Sequence, residues 1–359
     1  SGGPFAMTPE SPHYAWLHRY AVLTAAATLG LIGLGGLVTS KGVGMAVPDW
    51  PTTYGYNMFL FPISQWVGGI FYEHTHRLYA SAVGLMTVIL AVCIQLREGR
   101  AWVRRLGWVA VGLVLVQGLL GGLRVTQMKD VIGVFHGALA QGFLGLLALL
   151  ALFTSRGWME GRLQAAPSPA AGRLARAGGV LAVLVFAQLM LGAVMRHQHA
   201  GLAVPDFPLA YGRLYPPTSP EFLQAVNARR TDVRDFHPVR AWHVHAHMAH
   251  RAMAAVIVIG VLHVFRLTRG EAILPRLGGL LLGLVAVQVL LGAWTVWSNK
   301  AADIATLHVV TGAALLTTAV LLTAWAWRFA CGRALRPARA TNSTKPVEVP
   351  ADAVAVSRG

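Results

Sequence analysis

Long apolar runs recur along the chain, broken by short stretches rich in arginine, proline or glycine. A helix that crosses a bilayer needs about 20 consecutive, mostly apolar residues. Eight runs meet that length, at roughly 15–39, 73–96, 104–125, 132–154, 175–196, 243–266, 275–297 and 304–328. The pattern predicts an all-α integral membrane protein with eight transmembrane helices. The first run is long enough to span and stay, so no cleavable signal is expected.

The polar interruptions repeat. Residues 46–55 read Ala-Val-Pro-Asp-Trp-Pro-Thr-Thr-Tyr-Gly, and residues 203–212 read Ala-Val-Pro-Asp-Phe-Pro-Leu-Ala-Tyr-Gly. Each copy is followed by a His-Arg pair (His76-Arg77, His250-Arg251). A Val-Gln-x-Leu-Leu-Gly segment comes next (116–121, 287–292), then one further histidine, His136 or His308. Four spans per copy is an even number, so both halves share one orientation. They should form two four-helix bundles related by a pseudo-twofold axis along the membrane normal. The expected units are an N-terminal tail (1–14), a first half (15–156), a linker (157–174), a second half (175–331) and a disordered tail (332–359).

Composition narrows the class. Only 12% of residues are charged and 55% are hydrophobic, against about 25% charged in soluble domains. The net charge of +16 would suit nucleic acid, but its placement argues for topology instead. Short loops after the second, fourth and sixth spans are rich in arginine, and such loops face the cytoplasm. Both termini are therefore expected in the cytoplasm, with loops 40–72 and 197–242 outside. The two cysteines, Cys93 and Cys331, form no zinc or c-type haem motif.

His76, His136, His250 and His308 all fall near the outer ends of their spans. A bundle can hold haem between facing side chains, and imidazole is a common axial ligand of haem iron. One intramembrane histidine alone is as often structural, but four at matching places of a repeat favour ligand roles. The copies differ at one telling position. Glu73 lies three residues before His76, on the same helix face, and His247 takes its place in the second copy. Glu73 reads as functional or, more blandly, as a negative charge at a helix N-terminus. His243, His245, His247 and His250 crowd the second copy; a separate metal site and a solvated rim are both open there. Arg77 and Arg251 could neutralise haem carboxylates or snorkel towards headgroups. The Pro-Asp loops read as fold support more than as lids.

Taken together, these motifs resemble the haem A synthases of the cytochrome oxidase assembly family, over about residues 15–330. The carriers are Glu-x-x-His-Arg in the second span, Pro-Asp-Trp-Pro in the first outer loop, single histidines in spans four, six and eight, and the duplication. The resemblance implies an oxidoreductase that converts the C8 methyl group of haem O to a formyl group by successive hydroxylations. The product, haem A, serves cytochrome oxidase. It implies Glu73 as the catalytic carboxylate, His76 and His136 as ligands of the substrate haem, and His250 and His308 as ligands of a resident haem b iron. Implied partners are membrane lipid, a haem O synthase, oxidase assembly factors and an external electron donor, with no nucleic acid. The implied location is the cell (inner) membrane, with both haem sites near the outer face. Unlike some relatives, the outer loops carry no cysteine. The alternatives are a dihaem b-type electron carrier, a haem chaperone and, from repeat symmetry alone, a transporter.

Overall fold

The computed structural model describes residues 14–159, 170–230, 237–269 and 274–331. The expected tail 332–359 and most of the linker 157–174 lie outside the described residues. Ten α-helices follow one another: α1 (Ala15–Ser40), α2 (Gly68–Arg97), α3 (Ala101–Gln127), α4 (Asp130–Phe153), α5 (Arg156–Met159), α6 (Ala170–His197), α7 (Pro220–Arg229), α8 (Ala241–Thr268), α9 (Leu274–Trp297) and α10 (Ala302–Cys331). Eight of them, all but α5 and α7, are long and apolar enough to cross a membrane. No strand occurs among the described residues.

The helices outrun the apolar runs that announced them. α2 begins at Gly68 rather than near 73, and α6 begins at Ala170, inside the expected linker. The added stretches, Gly-Gly-Ile-Phe-Tyr and Ala-Ala-Gly-Arg-Leu, are rich in small residues, which continue a helix without lengthening a strongly apolar run. α7 was not anticipated. Its signals are local: Ser219 caps it by accepting from the Phe222 N–H at 3.3 Å, Pro220 opens it, and Glu221 sits in its first turn.

Within the first half α1 packs on α2 and α4, and α3 packs on α2 and α4. Within the second, α6 packs on α8 and α10, and α9 on the same two. α2 and α4 thus occupy one diagonal of their bundle, and α8 and α10 the matching diagonal. The halves meet through α1 on α10, α4 on α6 and α4 on α10, the set a twofold exchange would give. Lipid is as apolar as leucine, so close van der Waals approach and small residues drive such contacts. Gly33 faces Val310 and Gly36 faces Thr306 where α1 meets α10, each leaving only 3.3 Å for an added Cβ.

The end opposite the two long loops is the best packed. Leu90, Ile94, Leu147, Leu150, Leu174, Leu281 and Leu322 are fully buried there or beside it. Arg100 grips Glu98 in two parallel bonds of 2.8 and 2.7 Å and donates to the Phe153 carbonyl at 2.7 Å. Burial would raise the Glu98 carboxyl, but the Arg100 bonds outweigh it and hold it below its ordinary value.

Candidate functional site

Each of the four singled-out histidines leans on a glycine of the adjacent helix. An added Cβ would stand 3.1 Å from His76 Cε1 at Gly35, 3.3 Å from His136 Cε1 at Gly121, 3.4 Å from His250 Cε1 at Gly192 and 3.2 Å from His308 Cε1 at Gly292. The histidines come from one diagonal of each bundle (α2 and α4; α8 and α10). The glycines come from the other (α1 and α3; α6 and α9). A larger residue at these places would press the ring edge away from the helix backbone by a few tenths of an ångström.

A glutamine sits four residues before three of these glycines. Gln117 donates to the His136 carbonyl at 2.9 Å, and Gln188 donates to the His250 carbonyl at 2.9 Å. Gln288 reaches the α10 backbone beside Gly312 and His308. The fourth place, before Gly35, holds Leu31. One turn therefore fixes both the backbone and the ring of a histidine.

Nδ1 of all four histidines is buried with no hydrogen-bond partner, yet each residue is partly exposed. Nε2 of these rings is not among the buried atoms that lack a partner. The His250 and His308 ring centroids lie 6.4 Å apart with planes at 61°. Two imidazoles on opposite faces of one iron, at about 2 Å from metal to nitrogen and about 1.1 Å from nitrogen to ring centre, would be separated by about 6.2 Å. The separation of the second pair is close to that value. The His76 and His136 rings lie within electrostatic reach of each other.

The helix starts set the depth. His76 is eight residues past Gly68 and His250 nine past Ala241; His136 and His308 are each six past the first residue of their helices. At about 1.5 Å per residue the rings lie deeper than the apolar runs alone suggest.

The two Pro-Asp loops are built alike above these rings. Asp49 accepts from the Tyr54 and Gly55 N–H groups at 2.8 and 2.9 Å, and Asp206 accepts from Tyr211 and Gly212 at 2.6 and 2.9 Å. Tyr54 and Tyr211 take φ of 50° and 52°, and their hydroxyls return to the Ala46 and Ala203 carbonyls. Both loops contain a cis X-Pro bond, at Trp50-Pro51 and Phe207-Pro208. Burial would raise the Asp49 carboxyl, but donors from Gly55, Thr52 and Tyr54 outweigh it and hold it below its ordinary value.

Arg77 and Arg251 clamp these loops instead of facing a haem or the headgroups. Arg77 donates to the carbonyls of Val47 (2.7 Å), Asp49 (2.7 Å) and Thr52 (3.1 Å). Arg251 donates to the matching carbonyls of Val204, Asp206 and Leu209 at 3.4, 2.6 and 2.9 Å. Glu73 joins the clamp in the first half only. Its Oε1 accepts from Arg77 at 2.9 Å, its Oε2 accepts from the Val47 N–H at 2.9 Å, and it is 3% exposed.

A family model described as cytochrome oxidase assembly protein matches residues 18–320. The chain belongs to this family. Members similar to it include the haem A synthase of Alkalihalophilus pseudofirmus, 31% identical over 209 residues, covering 56% of this chain and 66% of that protein. The match thus spans just under two thirds of that relative. The haem A synthases of Methylobacterium radiotolerans (27% over 336 residues; 85% of this chain, 88% of that protein) and Sphingopyxis alaskensis (28% over 349 residues; 87% and 93%) are matched along most of their length.

The structure gathers His250 with His308 and sets His76 and Glu73 on one helix face. It does not gather the histidines crowding the start of α8. His243 accepts from the Arg240 N–H at 3.2 Å and meets Trp242 edge-on. His245 is exposed and paired with Tyr215 at 2.5 Å, and His247 is buried. Among the described residues, no group of three or more His, Cys, Asp or Glu is placed to hold an ion. The sequence reading missed the ring-seating glycines, the glutamines and Arg124. The interval Gln-x-x-x-Gly at 117–121, 188–192 and 288–292 was the available signal.

Proposed function

We propose that this protein is a haem A synthase that oxidises the C8 methyl group of haem O to a formyl group. The first half (15–156) takes haem O as substrate between His76 and His136. The second half (175–331) holds haem b between His250 and His308. The single observation that carries the reading is the pairing of like and unlike: two histidine diagonals on one duplicated frame, with a buried carboxylate beside only one of them. The relatives' names support the activity, and the 6.4 Å ring separation supports a bis-histidine iron in the second half. The short arginine-rich loops support cytoplasmic termini and haem sites near the outer face of the cell membrane.

Turning a methyl into a formyl group withdraws four electrons and adds one oxygen atom. Iron supplies the redox chemistry, which no side chain here can provide, and an external partner carries the electrons. The chain's residues seat and orient. The glycines and glutamines lock the four imidazoles. The clamped loops wall the site off from water. Glu73 holds a carboxylate at the edge of the first site, where Oε1 and Oε2 are shared with Arg77 and Val47. Loosening either bond frees a lone pair to accept one of the protons released as the methyl group is oxidised.

The test is extraction of pigments from protein made with and without a source of haem O, with masses assigned. Haem A formed only with haem O supports the synthase. Two stoichiometric haem B groups and no haem A would make it a dihaem electron carrier. Haem O bound and returned unaltered would make it a chaperone.

A further inference from the structure

One face of α3 carries Gln117, Gly121 and Arg124. The first holds the His136 backbone, the second seats the His136 ring, and Arg124 lies three residues on, about one turn nearer the loops. Its guanidinium is wedged between Gly44, whose added Cβ would stand 2.9 Å from Nη1, and Gly133, whose added Cβ would stand 3.0 Å from Nε. Nε is buried with no partner. Its ion-pair contact is Asp130, 3.9 Å away and 43% exposed, while Arg124 itself is 15% exposed. A cation this enclosed, with so weak a counter-charge, is costly unless something else neutralises it. His76, His136 and Glu73 are all within its electrostatic reach.

The repeat makes the residue more pointed. The second-half place of Arg124 is Thr295, whose hydroxyl turns back to the Leu291 carbonyl. The second half has its cation on the other diagonal partner instead. Arg196 of α6 lies four residues past Gly192 and bonds Ser40 and the Gly36 carbonyl of α1. Its first-half place is Thr39, bonded to the Gly35 carbonyl. Each half therefore has one arginine and one threonine above its glycines, with the two residue types exchanged between the helices.

We propose that Arg124 receives a carboxylate of the tetrapyrrole held between His76 and His136, and so fixes which edge of the macrocycle faces Glu73. This rests on the reading that the first half holds the substrate haem. Arg77 is spent on the loop, which leaves Arg124 as a cation close enough to act on His76 and His136. Haem carries both propionates on one edge, and the C8 methyl shares a pyrrole ring with one of them. Holding that carboxylate holds the methyl beside it, within reach of the same carboxylate that Arg124 feels. Arg124 is thus a specificity-determining residue for the first site.

The experiment titrates ferric haem B and its dimethyl ester into the full-length detergent-solubilised protein carrying its resident haem, followed by Soret absorbance. A buried charge-assisted pair predicts that wild type prefers the free acid by about tenfold or more. Arg124→Gln should bind both forms alike and keep the resident haem, and Arg124→Lys should recover part of the preference. Equal binding of acid and ester by wild type would overturn the assignment without any mutation. So would a preference that survives in Arg124→Gln, or an equal loss of both forms, which would mark Arg124 as support for the fold. If the preference holds while supplied haem O returns unaltered, the synthase reading fails and the carboxylate site stands.

Discussion

The first half of this molecule has a carboxylate where the second has a histidine, and the rest of the two frames barely differs. Loop clamp, tyrosine return, cis proline and ring-seating glycine all occur twice. The exchanges beside the rings are Glu73 against His247, Arg124 against Thr295, Thr39 against Arg196 and Leu31 against Gln188. A scaffold that holds a ligand needs only the shared set. On the proposed function, Glu73 and Arg124 are the charged additions with which the first half would act on its ligand.

The sharpest way to break this comparison is to write the second half into the first. Glu73→His should lower haem A by about 100-fold or more, the scale of a lost acid–base group, while haem content persists. Pigment extraction reads the result, and undiminished haem A would place the distinction elsewhere. Next in size, His250→Ala or His308→Ala should strip the resident haem to about a tenth of its normal content or less, because iron then loses an axial ligand. His136→Ala should leave that resident haem in place. Soret absorbance per protein measures both, and equal loss from all three variants would abolish the division of labour.

A smaller effect tests the packing of the loops. An added Cβ at Gly122 would fall 2.4 Å from the Trp50 indole, whereas the second half pairs the smaller Phe207 with Ala293. Gly122→Ala should cost about 1–3 kcal/mol by overpacking, and adding Trp50→Phe should restore most of it. Thermal melting of the single and double variants checks this. An unrescued double variant would show that the halves are not interchangeable here.

The smallest effect is a pH dependence. The folded Asp49 carboxyl lies below its ordinary value, so its contribution is complete above that value. It is lost as pH falls through the lower, folded value, below about pH 4. Limited proteolysis of the first loop should therefore rise in acid for wild type. Asp49→Asn should be cleaved readily at neutral pH, with little further change on acidification.

The eight spans were legible because bilayer thickness dictates run length, and the histidines were legible because ionisable residues stand out in such runs. Arg77 and Arg251 were misplaced in function because sequence shows that an arginine follows a ligand, not that three carbonyls of a returning loop wait for it. The α2 start was misjudged because Gly68–Tyr72 is helical without being a continuous apolar run. The glycines went unread because 39 glycines hide four, and only the ring seated on each tells it apart. Family resemblance supplied Glu73 its role, but its bond to the Val47 N–H across 26 residues of chain needed the fold.

The outer loops bear on traffic. The first is pinned by three carbonyls on Arg77, two backbone N–H groups on Asp49, the Val47 N–H on Glu73 and an indole wedged onto α3. A segment fastened at so many points is a wall rather than a door. A flat, greasy tetrapyrrole with a long isoprenoid tail would have to tear all of these bonds to descend from the aqueous side. A path from the bilayer between helices would ask for no such rupture, so on the proposed function the membrane itself would be the corridor for cargo.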